Sequence, residues 1–468
     1  MISELDDLID AFPGEPNQTR CFLHILNLVV KSVLRRFDPP KAGISADGDD
    51  EAAREIEALA EDLEDTEDET STNDSEIDED NVEGLQDERV RMTEDEIREL
   101  EASVLPVRLV LTKLRKVAFT IKNSTTVILP QWFLTLNELS LVPRMMPRDV
   151  STRWNSTFDM VDFALDYKPA INAITAKREM KMRQYELDNK EWTIAKELRD
   201  ILVIFKDATL FFSRGTPSIS MVIPAMDHID EHLATAAKNR KLSPSIRAAL
   251  AIGKRTLNRY YNKTDHSEVY RIAMVLHPCH KLVYFKNAGW EEEWINTTRD
   301  IVRAEYDHTY AFMDTLELSE NTATSTTSQS LNIFDNLPAL TAPTTRELRD
   351  ELERYLSTDP EHVTDPFAWW YERRTMYPHL HRMALDYLCI PATSVDVERV
   401  FSQGRLLLSH VRSRLSVQST RALICLGCWS NLGYVKDADV KAVTVLPEVP
   451  AGEEEEELAA GWDAIKLD

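Results

Sequence analysis

A few short stretches of the chain carry side chains that could do chemistry. Cys21 and His24 stand at Cys-x-x-His spacing, which is half of a tetrahedral zinc site. No second ligand pair accompanies them, since Cys279 and His280 lie far off, so no bound metal is expected. Cys425 and Cys428 have the spacing of a redox or metal pair. Their neighbours Ala422, Leu423, Ile424 and Leu426 make an apolar helix, however, and predict two buried cysteines. In Ser151-Thr152-Arg153-Trp154, an indole beside a guanidinium can stack a base and hold a phosphate, which makes Arg153 and Trp154 candidates for nucleic-acid contact. A second reading of the same residues is open: Ser151 or Thr152 caps a helix and Trp154 fills a core gap. Asp159, Asp162 and Asp166 follow at helical spacing, opposite Phe158, Val161 and Leu165, and read as the wet side of that helix. Glu398 belongs to a helix expected to be capped by Thr393 or Ser394. Metal-dependent phosphoryl transfer needs several carboxylates converging on one or two divalent cations, so Glu398 alone could not supply such a centre.

The elements that must position these residues read as helices. The chain has 468 residues, 43% of them hydrophobic, and only 12 glycines, so it has ample core material but few tight turns or glycine-lined phosphate loops. Alternating strand patterns are almost absent. Leu5, Leu8, Ile9 and Phe12 recur at helical spacing, and a second apolar face from Ile25 to Leu34 ends at Pro39-Pro40. Ile194, Leu198, Ile201, Phe205 and Phe212 mark a long helix, and further helices are predicted over about 243–263, 291–316 and, in several pieces, 345–434. No stretch offers the roughly 18 uncharged apolar residues of a membrane span, and five scattered cysteines suit a reducing compartment. The net charge of −26 is unevenly placed: 26 Asp/Glu stand against four Arg between residues 47 and 101, and a second acidic run closes the chain. The rest is near neutral, which argues against broad DNA binding by net charge. Residues 41–104 are too charged to bury a core and are expected to be disordered, apart from a short helix over 94–101 capped by Thr93.

The order and wording of four motifs resemble the hAT superfamily of cut-and-paste DNA transposases. They are Cys21-x-x-His24-x-x-Asn27, the Arg153-Trp154 pair, the run from Asp365-Pro366-Phe367-Ala368-Trp369-Trp370 to Ile390-Pro391, and Ala392-Thr393-Ser394-Val395-Asp396-Val397-Glu398-Arg399. Val397 departs from a serine common in the family. The resemblance implies that Cys21 and His24 pack against a nuclease core, and that Arg153 and Trp154 belong to the family's DNA-end chemistry. It also implies that Glu398 is the last of three metal-holding carboxylates and that the C-terminal helices dimerise. Trp369, Trp370, Phe401, Leu407, Leu408, Leu423 and Ile424 are then the expected dimerisation residues, the two tryptophans offering more apolar area than one helix needs.

The family places its other two carboxylates upstream of the Cys-x-x-His, where this sequence has 20 residues and no matching turn, so Glu398 is expected to be vestigial. The expectation is a mainly α protein: a helical insertion domain plus a C-terminal helical hairpin, with a remnant of an RNase H-like α/β core. Its regions are 1–40 (core remnant), 41–104 (acidic insertion), 105–148 (connection), 149–318 (helical insertion), 319–345 (Ser/Thr-rich linker), 346–434 (dimerisation) and 435–468 (acidic tail). The expected function is that of a transposase-derived, non-enzymatic protein that pairs with itself or with related hAT proteins. No cofactor, no membrane contact and only weak DNA contact are expected, in the nucleus or cytoplasm. The alternative is an active transposase using Mg²⁺ or Mn²⁺, with Glu398 and two aspartates from outside these residues.

Overall fold

The apolar face predicted from Ile25 is helix α1, Phe22–Leu34, followed by a 3-10 turn, Arg35–Phe37. Nine of its side chains are buried over most of its circumference, leaving only the face of His24, Asn27 and Lys31 unburied, and a helix so widely apolar belongs deep in a core. In this computed structural model, residues 14–38, 56, 92–150, 154–214, 217–311, 351–395, 398–400, 402 and 417–444 are described. They fall into two compact units, one ending at Thr393 and one beginning at Ser394. The predicted helix around residues 5–12, nearly all of the acidic insertion, the Ser/Thr-rich linker and the acidic end of the tail lie outside the described residues.

In the first unit, α1 packs against α4 (Trp154–Asp166), α6 (Asn189–Phe212) and α8 (Pro244–Asp265). The approach of α8 is close because residue 253 is glycine: a Cβ there would lie 2.6 Å from Val33 Cγ2. The long helix α2, Glu94–Asn123, packs on α6 and α8. Its start is the predicted one: Thr93 accepts from the Glu96 amide while Glu96 accepts from the Thr93 amide, a reciprocal cap that satisfies two orphan donors. The expected short helix is in fact 30 residues long and continues through Pro106. Leu100, Val104, Val107, Leu111 and Leu114 give it one continuous buried stripe, and that burial outweighs the lost backbone bond at the proline.

Shorter helices surround this centre. Helix α3 (Ile128–Glu138) packs on α2 and on α5 (Lys168–Ala176), while α7 (Val222–Lys238) lies along α8. Helix α9 (Glu268–Leu276) meets α11 (Glu292–Glu305) and α14 (Leu380–Leu388). Helix α10 (Lys281–Asn287) rests on α11, and α13 (Pro366–Glu372) on α14. Helix α12 is Glu351–Ser357. Asp365 caps α13 through the Phe367 and Ala368 amides, with Pro366 in the first turn, as the sequence predicts. Among the described residues the only β pairing is an isolated bridge between Ser218 and Pro391. The fold is mainly α, and no strand of a nuclease sheet is present among those residues. The second unit contains α15 (Val417–Asn431) and α16 (Asp437–Thr444).

Candidate functional site

The segment leading towards Glu398 is held at three points. The Ile219 amide donates to Ile390 O at 2.9 Å, the Ala392 amide to Pro217 O at 3.2 Å, and the Phe22 amide to Ala392 O at 2.9 Å. The last of these satisfies an orphan donor in the first turn of α1. Glu398 itself lies in the second unit, in a helical stretch, and is exposed. Ser394 Oγ donates to its Oε1 at 2.5 Å, and the Glu398 amide donates to Ser394 O at 2.9 Å. Ser394 rather than Thr393 thus makes the local contact at the start of this helix; the Thr393 hydroxyl turns towards Phe212 O in the first unit. Among the described residues no three His, Cys, Asp or Glu side chains are grouped as a cation cage.

The remaining candidates are dispersed. Cys21 occupies the N-cap position of α1 without a side-chain cap bond and is half-buried, while His24 is exposed one turn on. Trp154 is buried at the head of α4, so its indole fills the core, as the second reading of this motif has it; Arg153 lies outside the described residues. Behind Trp154 is an unforeseen polar clasp. Asp149 accepts from Arg115 Nε at 2.7 Å, from Ser156 Oγ at 2.9 Å and from Thr157 Oγ1 at 2.8 Å, and Arg115 also donates to Asp38 at 2.9 Å. Burial alone would favour loss of the Arg115 proton, but the two carboxylates outweigh it and hold the guanidinium above its ordinary pKa. Asp159 pairs with Lys206 and Asp162 with Arg199.

The expected dimerisation residues divide sharply. Trp369 and Trp370 do not face a partner; both are buried inside the first unit. Trp370 Nε1 donates to Leu276 O at 2.9 Å and Tyr355 Oη to Val275 O at 3.0 Å, so the two aromatic side chains occupy carbonyls left open at the end of α9. Trp369 Nε1 donates to Glu361 at 2.8 Å, and Arg373 lies over its ring at 4.1 Å. Tyr377 meets the rings of Tyr355 and Trp370 edge-on, and those two rings are tilted against each other. The surplus aromatic area that pointed to an interface is consumed by the C-terminal end of α9.

Beside this aromatic cluster sits Lys281, a buried residue with φ +49°, a left-handed conformation that costs a non-glycine residue about 1–3 kcal/mol. Its Nζ donates to the carbonyls of Tyr355 and Thr358 at 3.0 Å each and of Asp359 at 3.2 Å, and to the Thr358 hydroxyl at 2.6 Å. It also lies 4.3 Å from the centre of the Tyr355 ring. A cation at the C-terminal end of α12 is where the helix dipole favours one. Burial lowers the ammonium pKa, against the opposing pull of Glu361 and Asp359. At the other end of the same short helix, buried Glu351 accepts from the His379 amide at 3.1 Å and the Leu380 amide at 2.9 Å, capping α14. Burial pushes its carboxyl up to about 7, against those two hydrogen bonds.

In the second unit the pattern reverses. No described side chain of α15 or α16 is buried, and Leu426, Trp429, Leu432, Tyr434, Val440 and Val443 are all exposed. Leu423 is exposed and Ile424 half-buried; Phe401, Leu407 and Leu408 lie outside the described residues. Cys425 and Cys428 are free and half-buried, rather than buried as their apolar neighbours predicted.

These features agree with comparisons to known proteins. Residues 351–430 match the hAT family C-terminal dimerisation region, and residues 100–201 match the ZBED1 RNase-like helical domain. In both matched regions the chain is similar to hAT-family transposase-like proteins. It is 27% identical over 336 residues to the putative transcriptional regulator tpeD of Talaromyces stipitatus, an alignment covering 68% of this chain and 36% of that protein. It is 25% identical over 317 residues to the putative AC transposase of Zea mays, covering 60% of this chain and 36% of the relative. With the human zinc finger BED domain-containing protein 4 it shares 24% over 309 residues, covering 61% and 25%. The chain thus spans about a third or less of the length of these curated relatives.

Proposed function

We propose that these 468 residues act as a transposase-derived assembly module that pairs with a second copy or with related hAT chains, and that they do not themselves cut DNA. The observation that carries the reading is the coincidence of a dimerisation-region match with two helices whose apolar residues have no buried place in the described structure. Apolar surface of that extent marks an interaction site. The non-catalytic part rests on Glu398: it is exposed, its described side-chain partner is Ser394, and a two-metal centre needs further carboxylates close by. No cofactor is required for pairing. DNA contact is a minor activity, because Trp154 is turned into the core and the folded part is near neutral. A nuclear setting is proposed from the transposase and BED zinc finger relatives. No described helix is long and apolar enough to cross a membrane.

Light scattering of the purified chain tests the pairing: a dimer or larger is expected, and a strict monomer at tens of micromolar would overturn it. A second reading is favoured by the greater length of the relatives: an active cut-and-paste transposase in which two aspartates outside these residues join Glu398 and hold Mg²⁺ or Mn²⁺. Cleavage of a transposon end with Mg²⁺ or Mn²⁺ by the purified 468-residue chain, abolished by Glu398→Gln, would overturn the non-catalytic reading, whereas cleavage only by a chain extended with further upstream residues would favour the second.

A further inference from the structure

We infer that the pairing surface is confined to the second unit, along the seam Ala422–Leu426–Trp429 of α15, and that residues 351–393 of the matched dimerisation region are a clamp internal to the first unit. The inference rests on the self-pairing proposed above and names where it happens and against what. Trp369, Trp370, Tyr355, Leu380 and Met383 have already found burial within their own chain. Their polar atoms are spoken for as well: the two indole N–H groups donate to Leu276 O and Glu361, and the Tyr355 hydroxyl donates to Val275 O. What stays exposed there, Phe367, Tyr371 and Met376, lies on the seven-residue α13 and the turn after it, too short a stretch for a two-helix seam.

Helix α15 presents the opposite case. With 100° per residue, Ala422, Ile424, Cys425, Leu426, Cys428 and Trp429 spread over an arc of roughly 200°. A surface helix usually needs an apolar stripe of only about 100°. One side of that arc, Ile424, Cys425 and Cys428, is half-buried. The other side, Ala422, Leu426 and Trp429, is exposed, with Leu426 at 49% and Trp429 at 53%. These three are four and three residues apart, the spacing of a two-helix seam. An isolated helix of about 15 residues is marginal in water, so a helix with an open seam depends on a partner for its stability. The occupant is a second copy of the same helix. The helix carries Arg421 as its only charged side chain, so two copies bring little like charge together, and residues 351–430 match a dimerisation region. Leu423 falls on the polar side with Thr420, Gly427 and Ser430, and is not part of the seam.

The test uses the full chain. Leu426→Asp with Trp429→Asp should convert the dimer to monomer, weakening association by about 100-fold or more, the loss expected from two hot-spot anchors. Phe367→Asp with Tyr371→Asp changes exposed residues of α13, in the first half of the matched region, and should leave the dimer intact. Loss of the dimer in the α13 pair with retention in the α15 pair would overturn the inference while leaving self-pairing in place. A monomeric unmodified chain would instead overturn the proposal on which it rests. A measurement that needs no variant is amide exchange. Rising protein concentration should slow exchange across residues 417–444 and leave 366–372 unchanged; slowing confined to 366–372 would place the interface in the clamp.

Discussion

The two halves of the matched dimerisation region, 351–393 and 394–430, are similarly rich in apolar side chains and have spent them differently. In the first half the aromatic rings close over the end of α9, with Lys281 and Glu351 fixing the two ends of α12. In the second half the described side chains of α15 are exposed or half-buried. One stretch of family sequence therefore holds a completed packing problem beside an unfinished one. A family match locates a region, but burial decides which part of it is free to meet another molecule.

The contrast can be broken at its strongest point. Trp370→Ala should cost the first unit about 3–5 kcal/mol, since it removes a large buried ring and uncovers a carbonyl. Trp429→Ala, at a protein concentration where the chain is monomeric, should change stability by no more than about 0.5 kcal/mol. Urea unfolding compares them, and equal losses would erase the distinction between the halves. A smaller effect comes from Lys281→Met, which leaves backbone carbonyls at the end of α12 without their donor; about 1–3 kcal/mol should be lost. The same change should speed amide exchange in 351–357 more than in α1.

The smallest effect is a dependence on pH. Glu351 ionises near its ordinary value of 4.5 in the unfolded chain and only near 7 in the fold. Its neutral form is favoured by folding, so its contribution is full below about pH 4.5 and falls away as pH rises through 7. His277 and His280, pushed down to about 4, chiefly by burial, run the other way: stability tied to their neutral forms is present above 6.5 and lost as pH falls towards 4. Relative to the unmodified chain, Glu351→Gln should therefore remove a decline in thermal stability between about pH 4.5 and 7. Below about pH 4.5 and well above pH 7 the slope should be unchanged; an unaltered profile between them in the variant would show that Glu351 does not titrate there.

Much of the fold was legible because its signals are local. Thr93 and Asp365 cap the helices they precede, the apolar spacings of α1, α6 and α8 are plain, and Pro39-Pro40 follows shortly after α1 and its 3-10 turn. The length of α2 was not legible, because a proline and a dense acidic run argue locally against a helix that distant packing sustains. Trp369 and Trp370, read from the sequence as interface anchors, are buried within their own chain, since composition does not say which molecule a ring will meet. Arg115, Lys281 and Glu351 went unnoticed for a related reason. Their partners lie dozens of residues away in the chain, and nothing near them in sequence announces the contact. Arg153 and Trp154 could have been weighed better by noticing Asp149 with Ser156 and Thr157, a carboxylate and two hydroxyls bracketing the motif.

Residue 253 carries a consequence out of proportion to its size. Two helices there are spaced by a single hydrogen atom, so even a methyl group acts as a wedge against Val33. Tilting α1 would pull on its opposite end, where the Phe22 amide is tied to Ala392. A small insult in the middle of the protein would thus be felt as slack in the tether that runs on to Ser394 and Glu398.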